Sequence, residues 1–234
     1  MKTPRLLLPV FLVIATVLTA APFEGRITLG VKSGKDKEFV IAYAMKPGLC
    51  RMEPKMEGGE SMASIINWSK MEMIMLMEEQ QMYMVTSMKG AAKLAEAEES
   101  AHDAKIQKTG ETETILGYLC EKYVTTDGKD TVEMWVTEKL GTFMGMQAGG
   151  GGSPMAGMFG GGGAKKKSGW EVAVKGKENF FPLRVVGKNA KGKETFRMEA
   201  KSIEPGSLPD SLFAVPAGWQ KFEMPNLGDM FRPR

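Results

Sequence analysis

Residues Met71 to Met88 read MEMIMLMEEQQMYMVTSM, which places seven methionines in eighteen positions. Met71, Met73, Met75 and Met77 alternate with other residues, so on a strand they share one face. A period of 3.6 would scatter them around a helix. After Glu78, Glu79, Gln80 and Gln81 the alternation resumes with Met82, Met84 and Met88. The turn is either Glu79-Gln80 or all four polar residues. Both choices set Met77 opposite Met82, Met75 opposite Met84, Met73 opposite Thr86 and Met71 opposite Met88. One face of this hairpin is then almost all thioether. The other carries Ile74, Leu76, Tyr83 and Val85 and is largely apolar too. Such a pair needs cover on both sides, or a ligand on one.

Working outward, the flanking sequence reads as a meander of short antiparallel strands. Phe23 to Val31 alternates, with Ile27, Leu29 and Val31 on one side and Glu24, Arg26 and Thr28 on the other. Phe39, Ile41, Tyr43 and Met45 mark a second strand, opposed by the smaller Val40, Ala42 and Ala44. Pro47-Gly48 turns into Leu49 to Glu53, and a fourth strand runs from Met62 to about Trp68. After the methionine hairpin, Lys89 to Ile106 is rich in Ala, Glu and Lys and reads as a helix with a thin apolar stripe. It is expected to lie lightly over the sheet as a lid.

Strands return at Thr112. Tyr118 to Thr125 and Thr131 to Thr137 flank Asp127-Gly128, a favoured two-residue hairpin turn. That register sets Tyr123 opposite Val132, Leu119 opposite Val136 and Lys122 opposite Glu133. Gly141 to Gly169 is a Gly- and Met-rich low-complexity stretch, expected as a flexible inserted loop. Trp170 to Lys175 reads as a short helix or strand. Pro182 to Lys188 and Lys193 to Ser202 form a last hairpin. Ser207 to Phe213 then reads as a tight turn or 3₁₀ piece, followed by extended chain.

The chain has 234 residues, 43% of them hydrophobic, and a net charge of +3. This suits one domain and implies no nucleic-acid partner. Lys2 and Arg5, the apolar run Leu6 to Leu18 and Thr19-Ala20-Ala21 read as a cleavable signal peptide. The run is short for a span of roughly 20 residues, so no membrane span is expected after cleavage. The expected organisation is a signal peptide at 1–21, a single domain at 22–225 with the inserted loop at 141–169, and a disordered tail at 226–234. Localisation is expected to be periplasmic or secreted.

Export makes Cys50 and Cys120 either a disulfide or two buried free thiols. His102, the one histidine, sits on the expected helix with no partner pointing to Ser-His-Asp or Cys-His catalysis. Zinc-ligand spacing and the GxxxxGK[ST] phosphate loop are both missing. No enzyme activity, resident cofactor or metal is expected.

Several segments together resemble an exported bacterial family known as domain of unknown function 4412. They are the opening Phe23-Glu24-Gly25, the methionine hairpin, Ile115 to Tyr123, Glu133 to Thr137, Phe181 to Val185 and Leu208 to Phe213 before Pro216-Ala217-Gly218. That family is similar to the lipoprotein-carrier half-barrels LolA and LolB. The resemblance implies a mainly β fold with minor α: a curved antiparallel sheet, or half-barrel, with one or more helices over its concave face and an apolar cavity between. It brings no catalytic residues with it.

The methionines admit three readings. Methionine fills irregular cores with little specificity. Its adaptable surface also suits a variable hydrophobic ligand such as a lipid, an acyl chain or a lipidated protein, in which case Met71, Met73, Met75, Met77, Met82, Met84 and Met88 line the cavity. Thioethers are further suitable copper(I) ligands. The favoured expectation is a non-enzymatic binding protein for a hydrophobic ligand. The alternatives are an envelope interaction protein with a filled core and, third, copper(I) binding.

Overall fold

The computed structural model describes residues 22–34, 37–55, 62–88, 106–127, 130–143 and 179–223. These form twelve strands: β1 (Gly25–Ser33), β2 (Phe39–Lys46), β3 (Leu49–Lys55), β4 (Met62–Asn67), β5 (Glu72–Met77), β6 (Met82–Ser87), β7 (Ile106–Ile115), β8 (Tyr118–Asp127), β9 (Asp130–Thr137), β10 (Phe181–Lys188), β11 (Glu194–Pro205) and β12 (Gln220–Lys221). A 3₁₀ turn spans Asp210–Phe213.

All twelve strands belong to one sheet, ordered β12-β6-β5-β4-β3-β2-β1-β11-β10-β9-β8-β7. Two antiparallel meanders, β1 to β6 and β7 to β11, are therefore zipped together by the β1–β11 ladder, from Gly25 opposite Pro205 to Ser33 opposite Phe196. The one parallel pairing is that of β12 with β6. The sheet is curved and does not close. Tyr43 on β2 and Phe181 on β10 lie three strands apart, about 14 Å along a sheet of ~4.8 Å spacing. Their rings nevertheless meet edge-on with centroids 6.5 Å apart, which places both on the concave side.

The alternation read from sequence sets the two faces. Ile27, Leu29 and Val31 are buried while Arg26 is exposed. Tyr43, Phe181, Leu183, Val185 and Met198 join them in the larger core. A smaller core lies on the convex side, where Ala44, Ala63, Ile65 and Leu76 sit under Leu208 and Phe213. The chain from 206 to 223 thus acts as a strap. Leu212, Val215 and Trp219 add to this cover, and the strap ends by hydrogen-bonding the turn before β6 and β6 itself, Gln220 N to Gln81 O at 3.0 Å and Phe222 N to Tyr83 O at 2.7 Å. Glu24 anchors its start by accepting from the Leu208 amide at 2.6 Å, and Lys46 hydrogen-bonds Asp210 further along.

Two expectations are corrected, and one open alternative is decided. Tyr123 faces Met134, Lys122 faces Trp135 and Glu133 faces Val124, because the ladder continues to Asp127 opposite Asp130. The turn thus lies one residue later than Asp127-Gly128, and every partner moves by two, which keeps each side chain on its face. β7 begins at Ile106 rather than Thr112, so Ile106 belongs to a strand and not to the helix. Cys50 and Cys120 are both free. They sit on β3 and β8, six strands apart in the sheet. The expected signal peptide, the helix over 89–105, His102, Trp170 to Lys175, the loop beyond residue 143 and the tail fall outside the described residues. Among the described residues no helix covers the concave face.

Candidate functional site

The methionine hairpin forms in the expected register, with Met77 opposite Met82, Met75 opposite Met84 and Met73 opposite Thr86. The turn uses all four polar residues. Gln81 adopts φ 51° and donates its amide to the Glu78 carbonyl at 3.3 Å. At the open end Met71 leaves the ladder with φ 52°, and its carbonyl accepts from the Met88 amide at 2.8 Å.

Met73 and Met75 are 4% exposed and Met84 is 8% exposed, all within the larger core. Met77 and Met88 are half-buried and pack against that core. Met71 and Met82 are half-buried but stand outside it. Five of the seven candidates therefore pack within or against one core.

Five methionines outside the hairpin, not among the expected cavity residues, join them there: Met45, Met52, Met62, Met134 and Met198. They come singly from β2, β3, β4, β9 and β11. The signal for each was its inward place in its own strand's alternation, a weaker cue than a run of four. The thioether surface thus extends from β6 to β9 across the concave face rather than along one hairpin. On the opposite side of β5, Leu76 is covered by the strap. The cover needed by a strand pair apolar on both faces is therefore present on the convex side.

Ionisable groups stand at the margin of this face. Tyr123 donates to Glu121 at 3.2 Å, and its ring packs edge-on against Phe180 with centroids 5.1 Å apart. A hydrogen bond from Lys108 holds the Glu121 carboxyl below its usual range. Cys50 is in the core, and burial pushes its thiol up to about 12. Burial likewise raises Cys120 to about 11. Both are far from the thiolate character that nucleophilic or redox chemistry requires. Among the described residues no His, Cys, Asp and Glu cluster could hold a metal ion. Met75 and Met84 remain the cross-strand pair that a copper(I) ion would use.

The model of the family described as Domain of unknown function (DUF4412) matches residues 23–219. The chain belongs to that family. Its matched stretch runs from the residues before β1 into the strap as far as Trp219, so both cores of this DUF4412 protein lie inside it. No curated protein matches the chain significantly.

Similar solved structures include an uncharacterized conserved protein from Thermus thermophilus, at 13% identity and a TM-score of 0.47, covering 85% of this chain and 90% of that one. MucB in complex with MucA(peri) is similar at 13% identity and a TM-score of 0.42 over 86% of this chain, which spans only 57% of MucB. A LolA superfamily protein from Nitrosomonas europaea is similar at 12% identity and a TM-score of 0.33, covering 84% of this chain and 91% of that one. Likenesses at this level carry no functional statement. No helix among the described residues is long and apolar enough to cross a membrane.

Proposed function

We propose that this DUF4412 protein is an exported, non-enzymatic binding protein that holds a hydrophobic ligand on its methionine-lined concave face. The ligand class is a lipid, an acyl chain or a lipidated protein. The observation that carries this reading is the convergence of eight buried methionines, from β2 to β6 and from β9 and β11, on one face. Thioether side chains are flexible and polarizable, so such a face adapts to apolar ligands of varied shape. Export rests on the signal-like 1–21 segment.

The burial of Met73, Met75 and Met84 also favours a second reading. In it the same face is a filled core, and the protein acts in the envelope through its outer surface. A fluorescent fatty acid titrated into detergent-free protein separates the two. Saturable uptake that weakens in Met75→Phe, which adds bulk to the face, supports the ligand reading. A flat titration supports the filled core.

A further inference from the structure

The convex face holds a trough that the methionine face does not explain. Its floor is low: Thr28 of β1 stands opposite Ala42 of β2, with Ala44 beside them. Alanine is depleted in strands. Ala44 must be small because the strap packs over it. Ala42 lies outside that cluster, so the strap does not account for its size. Side-chain contacts flank its two ends. At one, Arg51 donates to the Leu212 carbonyl of the strap at 3.2 Å. At the other, the Lys201–Glu38 ion pair, 2.8 Å long, crosses Gly30, where a Cβ would collide with both side chains. Its volume is about 200 Å³, below the roughly 300–1,000 Å³ of drug-sized sites.

Charge narrows the occupant. Arg26, Arg51 and Lys55 line the trough together with Glu53 and Glu204, three cations against two carboxylates. Arg51 is held by Glu53 and Glu78. Several cations elsewhere on the sheet are paired, among them Lys46 with Asp210, Lys188 with Glu133, and Arg184 with Glu113 and Glu199. Among the described residues Arg26 and Lys55 enter no ion pair. Arg26 even stands opposite Glu204 in register without pairing with it. A guanidinium presents parallel donors that match a carboxylate.

We propose that this trough is a binding site for a small carboxylate, with Arg26 as its main anchor and Lys55 completing the charge. A short organic acid and the C-terminus of a peptide offer the same group. The proposal does not depend on the concave face binding anything.

The test is an NMR titration of the full chain, following the Thr28 and Ala42 amides and the Arg26 Nε–H. The probes are acetate and Ala-Ala-Ala with a free or an amidated C-terminus. Saturable shifts with the free acids and none with the amide are expected. Response to acetate and tripeptide alike identifies a free-acid site, and response to the tripeptide alone identifies a peptide terminus. Arg26→Gln is expected to weaken binding roughly tenfold by removing a charge-assisted hydrogen bond, while Arg26→Lys falls between. Ala42→Leu fills the floor and is expected to abolish binding without touching a charge. No saturable shift below about 10 mM, an equal response to the amidated peptide, or shifts unaltered by both Arg26→Gln and Ala42→Leu overturn the proposal.

Discussion

Met75 and Met84 stand directly opposite one another on β5 and β6, both buried on the concave face. Directly opposed side chains are the unit of sheet stabilisation, and a truncation here leaves a hole with no polar group to fill it. Met75→Ala is expected to cost about 2–5 kcal/mol. The near-isosteric Met75→Leu should cost less than about 1.5 kcal/mol. Urea denaturation of both variants checks the difference. Similar small losses from the two would mean that the face is loosely filled at this position.

The strap is a second, independent element of stability. Phe213 is 8% exposed and packs on the convex core, with the Lys46 ammonium 5.9 Å from its ring. Phe213→Ala is expected to destabilise by about 3 kcal/mol. The change also uncovers Ile65 and Leu76, so dye binding to apolar surface should rise before global unfolding. A stability unchanged within error would show that the strap is not docked.

Acid and base should both loosen the same strap. The hydrogen bond from Lys46 lowers the Asp210 carboxyl and raises the Lys46 ammonium. The lowered carboxyl contributes stability above the ordinary aspartate value of about 3.9, lost as pH falls through its folded value. The raised ammonium contributes below the ordinary lysine value of about 10.4, lost as pH rises through its folded value. Carbon-detected NMR titration should place Asp210 below the ordinary value, and Asp210→Asn should return Lys46 to its own. An ordinary Asp210 midpoint would contradict the contact.

Both thiols should be slow to react. With Cys50 near 12 and Cys120 near 11, the thiolate fraction near neutral pH is very small, and burial blocks access. Alkylation of native protein is expected to lag far behind that of unfolded protein. Unfolding without reductant should then release both thiols. Recovery of neither would reveal a Cys50–Cys120 bridge and a different placement of β3 or β8.

The elements legible in sequence were those that bury one face. Ile27, Leu29 and Val31, or Met73, Met75 and Met77, carry an alternation that fixes the strand and its buried face and excludes one-residue slips. β7 was read short because Gln107 to Thr112 is polar throughout. It is the outermost strand, exposed along most of its length, and an edge that buries little leaves no apolar period to read. The β8–β9 slip has a different cause. Asp127-Gly128 is a good turn pair by local chemistry, but moving the partner of Tyr123 from Val132 to Met134 leaves every side chain on its face. Hydrophobic pattern therefore could not choose between the two registers. The convex trough escaped notice because Arg26, Ala42 and Lys55 meet only through the β1–β2–β3 pairing.

The central claim is that the methionine face holds an apolar ligand. Native mass spectrometry of protein exported to a periplasm and purified without detergent tests it most directly. Added masses matching lipids or fatty acids, lost on denaturation and diminished in Met75→Phe, are the expected result. A bare mass from freshly exported protein, still bare after incubation with fatty acid, would contradict the claim and leave the concave face as a filled core.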